Sequence, residues 1–193
     1  STFIFPFLTF PYISRILLPY GVGKVNFVTS VVSYFLMFSM LGIPTYGVRA
    51  CARVRDDKKE LTKVVHEILI INLLMGILAY IIYFWALWKV PRFRSDFSLF
   101  CVSSASIFFN IIGVDWLYKG LEQYSYITVR SIVFKIISVC LMFLYVKDQT
   151  DYVIYGAISV FAAVGSNILN FINLREFIYL HPVGRYHFRR HLR

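Results

Sequence analysis

Lys135 is a cation inside a stretch that is apolar except for it and Arg130. It lies eight residues into Ile127–Val146, about 12 Å along a helix axis. Thr128, Ser131, Lys135, Ser138 and Met142 recur at three- and four-residue spacing, which puts them on one helical face. A cation beside three hydroxyls describes a wall lining a hydrated cavity, and an ionisable side chain at membrane depth is a functional group by default. The alternative is a Lys that snorkels to the interface or pairs with a carboxylate such as Asp115.

Other polar groups stand at comparable depth. Ser103, Ser106, Asn110 and Gly113 form a mild face of their own, a composition that also makes ordinary helix–helix contacts in membranes. Asn167, Asn170 and Asn173 are three apart, and amides are costly in lipid, so they should face the protein interior or an aqueous path. Arg15 ends a Pro-broken apolar segment, where it either snorkels or meets an anionic substrate. Asp115-Trp116 closes another, and Glu122 follows in the loop. The Trp reads as an interfacial anchor, and the two acids as an ion pair or a gate. His187 and His191 are four apart in a basic tail with no Cys or carboxylate beside them, a weak metal pattern. His66-Glu67 reads as interfacial. No nucleophile–base–orienter set, phosphate loop or paired-carboxylate site is visible, so the sequence predicts no enzyme, no cofactor and no metal.

These residues must be positioned by membrane helices. Val25–Val48 runs 24 residues without a charge, Ile68–Trp88 21, Phe97–Val114 18 and Tyr152–Leu174 23. About 20 apolar residues cover the hydrocarbon core. With 59% hydrophobic residues and a mean hydropathy of +0.67, the 193-residue chain exceeds the apolar content of soluble domains. The predicted fold is an all-α, six-helix transmembrane bundle in one lobe spanning 1–193. Its helices are expected near 2–17, 25–48, 65–88, 97–117, 127–146 and 152–174, with a basic tail at 175–193. The first helix reads as truncated, with the chain entering inside it. There is no basic n-region or cleavage site, so this is no signal peptide.

The net charge of +10 would suggest nucleic acid in a soluble protein. Here the basic residues sit between spans, so the charge is topological and no nucleic-acid partner is expected. Arg49–Lys63, Tyr118–Arg130 and the tail carry 13 basic residues on one side, against six on the other. By the positive-inside rule the richer side, both termini and Cys51, read as lying in a loop, are cytoplasmic. Cys51, Cys101 and Cys140 show no pairing or metal spacing.

With those residues in place, the chain resembles the Wzx-type flippases of lipid-linked polysaccharide repeat units, whose superfamily includes the multidrug antiporters. The resemblance rests on Pro11-Tyr12-Ile13-Ser14-Arg15, Gly21-Val22-Gly23 and Leu41-Gly42-Ile43-Pro44-Thr45-Tyr46-Gly47-Val48-Arg49. It continues through Ala52-Arg53-Val54-Arg55-Asp56, Asp115-Trp116-Leu117-Tyr118-Lys119-Gly120-Leu121-Glu122, Arg130–Lys135 and Asn170-Phe171-Ile172-Asn173. It implies the first lobe of a two-lobed transporter that moves undecaprenyl-pyrophosphate-linked oligosaccharide across the bacterial cytoplasmic membrane for capsule, O-antigen or other surface polysaccharide. Arg15 and Lys135, with Arg49 at the cytoplasmic mouth, would then hold the pyrophosphate. Asn110, Ser131, Asn167 and Asn170 would line the substrate path, and Asp115 and Glu122 would gate it. Expected partners are the lipid-linked substrate and the bilayer, with a polysaccharide polymerase and glycosyltransferases nearby. A cation-coupled drug antiporter would want an acid in the first helix, and Ser1–Leu17 has none. An integral membrane polymerase would want a large outer loop, and the longest there is Lys89–Asp96.

Overall fold

Every regular element is helical in the computed structural model, which describes residues 4–181, with side chains from Thr9 onward. His187, His191 and the basic residues from Arg185 onward lie outside the described residues. The helices are α1 (Ile4–Ile16), α2 (Leu18–Met40), α3 (Ile43–Arg53), α4 (Lys58–Lys89), α5 (Pro91–Arg94), α6 (Phe97–Gly113), α7 (Asp115–Gly120), α8 (Tyr124–Tyr145), α9 (Tyr152–Val164) and α10 (Asn167–Phe177). Among the described residues four segments are long and apolar enough to cross a bilayer: α2, α4, α8 and Gln149–Phe177. Helix α6 is apolar but shorter. The chain is an all-helical membrane bundle.

The long apolar runs form helices because a bilayer leaves no other partner for their backbone. Their ends follow local chemistry. The Asp57 carboxylate accepts the amides of Lys59 and Glu60, so α4 starts at Lys58 rather than near Val65. Three runs that read as continuous are broken. The expected 25–48 helix starts earlier, at Leu18, and stops at Met40. Gly42 then takes φ +78°, and Pro44 opens α3 where its missing N–H costs nothing. The expected 97–117 helix breaks at Val114, held at φ +41°, and α7 follows. The expected 152–174 helix divides at Gly165-Ser166 into α9 and α10.

The breaks organise the packing. At one end α3, α7, the start of α4 and the end of α10 enclose Cys51, Val65, Val114, Trp116, Leu117 and Leu174. From the middle toward the opposite end, α2, α4 and α6 close around Val28, Tyr83, Phe100 and Ile107, with the Tyr83 hydroxyl donating to the Phe100 carbonyl at 2.7 Å. At the opposite end, Ile13 and Leu17 of α1 pack on Met142 and Val146, and Tyr12 donates to the Val146 carbonyl at 3.0 Å. Leu74, Ile77, Ile81, Trp85 and Trp88 of α4 point outward, an apolar stripe ending in the tryptophans that favour a membrane interface. Cys51 is fully buried within α3, not in a loop, and burial pushes its thiol up to about 12.

Candidate functional site

Breaking a helix frees carbonyls that must find donors. The α6/α7 and α9/α10 breaks lie against each other, and side chains fill both gaps. Asn167 donates to the Phe109 carbonyl at 3.0 Å, and Asn170 to the Gly113 carbonyl at 2.5 Å and to Asp115 at 2.8 Å. Arg130 of α8 closes the network. Its guanidinium donates to the Ser166 carbonyl at 2.7 Å and meets the Asp115 carboxylate at 2.5 Å. Tyr118 adds a bond to the Asn170 carbonyl at 2.7 Å. The amides expected on a substrate path at Asn167 and Asn170 are therefore engaged in the fold. Asp115 pairs with Arg130, which replaces the alternative of a Lys135–Asp115 pair. Arg130, counted among loop cations in the sequence, is buried at this junction. The partners are 15 to 58 residues apart in sequence, beyond the reach of any local pattern.

Lys135 lies five residues beyond Arg130 on α8, about 7.5 Å along the helix axis. It is half-buried, and among the described residues no hydrogen bond or ion pair engages it. Its neighbour Phe134 contacts Phe161 of α9 with ring centroids 5.0 Å apart, which sets the level. Val146 is eleven residues further on, about 16 Å along the axis. Arg15 is exposed beside that far end, since Ile13 and Leu17 flank it and pack there. Arg49 is exposed on α3, which packs on α7 at the opposite end. The three cations expected to hold one anion thus stand at three levels, and none has a charge partner among the described residues. Ser131 lies half-buried one turn from Lys135. Glu122 meets Arg55 at 3.3 Å on an exposed surface, where such a pair adds little stability.

A second feature lies among α2, α6 and α9. A cleft of about 160 Å³ is lined by Thr29, Ser33, Ser103, Ser106, Asn110 and Ser159, with apolar residues between them. Only the Ser103, Ser106 and Asn110 face is legible in one stretch of sequence. Thr29, Ser33 and Ser159 join it through tertiary packing. At the far end Lys24 pairs with Asp96 at 2.6 Å and lies 4.7 Å from the ring centres of both Tyr20 and Tyr152. Among the described residues no three His, Cys, Asp or Glu side chains converge to hold a metal ion.

The sequence matches the family described as "Polysaccharide biosynthesis protein" over residues 1–192. The chain belongs to that family. Two curated relatives carry the name "Putative O-antigen transporter". The one from Escherichia coli (strain K12) is 24% identical over 169 residues, covering 88% of this chain and 41% of the relative. The one from Shigella dysenteriae is 26% identical over 153 residues, covering 79% and 38%. The chain therefore spans about two-fifths of the length of these relatives. No solved structure matches it. The apolar spans anticipated the multi-pass helical character, and the motif resemblance anticipated the polysaccharide biosynthesis family.

Proposed function

We propose that this chain forms one lobe of a flippase that carries a lipid-linked oligosaccharide across the bacterial cytoplasmic membrane for surface polysaccharide assembly. The basic end lies in the cytoplasm, with both termini on that side. The lipid carrier is undecaprenyl pyrophosphate bearing the oligosaccharide, and the polymerase and glycosyltransferases that use and make it work alongside.

One observation carries the reading: Lys135, a cation at membrane depth with no anion partner among the described residues. A lone ammonium in a water-poor site is costly. A multiply charged pyrophosphate offsets that cost where the low dielectric strengthens the attraction. Along the bundle Lys135 lies about 16 Å from the level of Arg15, and Arg49 stands at the opposite end, so the three are too far apart to grip one pyrophosphate together. They act in sequence, Arg49 at the entry, Lys135 at mid-membrane and Arg15 at the exit.

Lys135→Ala should abolish export of surface polysaccharide while the protein reaches the membrane at normal abundance. Lys135→Arg should keep partial function, because a planar fork fills the site differently from a point charge. The readout is surface polysaccharide per unit of membrane protein. Normal export by Lys135→Ala would overturn the assignment.

A further inference from the structure

The cleft among α2, α6 and α9 holds six polar side chains and no charge: Thr29, Ser33, Ser103, Ser106, Asn110 and Ser159. Hydroxyls between membrane helices usually serve packing, and packing would close them off. Here Thr29 and Ser33 are exposed, and Ser106, Asn110 and Ser159 are half-buried around an open volume of about 160 Å³. That is room for about five waters at liquid density. A lipid acyl chain would strip water from six polar groups and return no hydrogen bond.

The donors of this cleft are partly committed to its own helices. The Ser33 hydroxyl donates to the Thr29 carbonyl at 2.8 Å, and the Asn110 amide to the Ser106 carbonyl at 2.9 Å. Among the described residues that leaves the Ser33 oxygen and the Asn110 side-chain carbonyl as acceptors without a partner. The surface is thus neutral, rich in acceptors and sized for a small polyol. An ammonium ligand would meet it with no carboxylate in the lining and with ten net positive charges on the chain. A sugar ring, which presents several O–H donors and no charge, fits both the chemistry and the volume.

We propose that this cleft reads the sugar of the lipid-linked substrate, separately from the cations that hold its phosphates. The inference rests on the flippase reading above. It divides the substrate between two surfaces. Lys135 answers to the anion common to every such lipid, and Thr29, Ser33, Asn110 and Ser159 answer to the carbohydrate that differs.

The test is equilibrium binding of two probes to the purified protein in lipid nanodiscs: undecaprenyl-pyrophosphate, and the same lipid bearing one N-acetylglucosamine. The wild type should favour the sugar-bearing lipid by about tenfold, what one or two net hydrogen bonds supply. In Thr29→Val/Ser33→Ala, and independently in Asn110→Leu, the ratio of the two affinities should fall to about one. Ala163→Trp, which fills the cleft with bulk, should do the same. Thr29 and Ser33 are exposed, so substituting them leaves the core intact, and a monodisperse elution profile checks that the first variant is folded. A ratio near ten that survives all three variants, or a wild type with no preference, overturns the cleft assignment and leaves the flippase reading standing. A wild type that binds neither lipid overturns both.

Discussion

The Arg130–Asp115 pair is lopsided. The Arg130 side chain is 5% exposed and the Asp115 side chain 42%. Removing each partner should therefore cost different amounts. Asp115→Ala leaves a buried guanidinium with no counter-charge, a loss of about 3–5 kcal/mol. Arg130→Met leaves a carboxylate that water can reach and a Ser166 carbonyl short of one donor, a loss of about 1–2 kcal/mol. The double variant should be more stable than Asp115→Ala alone. Thermal unfolding of the three variants in detergent checks this order. Equal losses from the two single variants would show that the charge pair does not set the stability of the junction.

Between elements, close approach decides tolerance. Helices α3 and α7 meet at Gly120, where an added Cβ would lie 2.9 Å from the Val48 carbonyl oxygen and 2.9 Å from the Cys51 Cβ. Backbone cannot swing aside as a side chain does, so Gly120→Ala should cost about 1–3 kcal/mol. Gly23, on the open side of α2, has nothing within 4 Å, and Gly23→Ala should gain about 0.5–1 kcal/mol from helix propensity. Melting temperatures that move in the same direction would contradict this contrast. The helices themselves were legible because run length and hydropathy fix what can cross a bilayer. Their interruptions were less so. Leu41-Gly42-Ile43-Pro44 carried a signal for a break, but nothing local announces a β-branched Val114 at φ +41°, which tertiary contacts impose. The same limit applied at the site. Periodicity put Asn167 and Asn170 on one face, yet their partners at Phe109 and Gly113 lie 58 and 57 residues away. Lys135 was visible because a charge in an apolar run is a local signal, whereas half of the hydroxylated cleft came from α2 and α9.

For the whole molecule, the grouping of charges at two ends turns into a statement about which end faces the cytoplasm. Arg49, Arg53, Arg55, Lys58, Lys59 and Lys63 sit at the end where Arg55 meets Glu122 and Lys58 reaches the Glu176 carbonyl. Lys24, Arg92 and Asp96 sit at the other, where Gly21 approaches Tyr152. The native Cys51 does not report on this, because it is buried and its thiol is held largely protonated, and the thiolate is what reacts with a maleimide. Lys59 and Ser95 are both exposed, one at each end. In whole cells a membrane-impermeant maleimide should label Ser95→Cys and miss Lys59→Cys, and permeabilised cells should label both. Cys51 in the parent protein should stay unlabelled in either condition until the fold is denatured. Labelling of Lys59→Cys in intact cells would invert the bundle. Arg15 would then stand at the entry and Arg49 at the exit, reversing the order in which the cations meet the substrate.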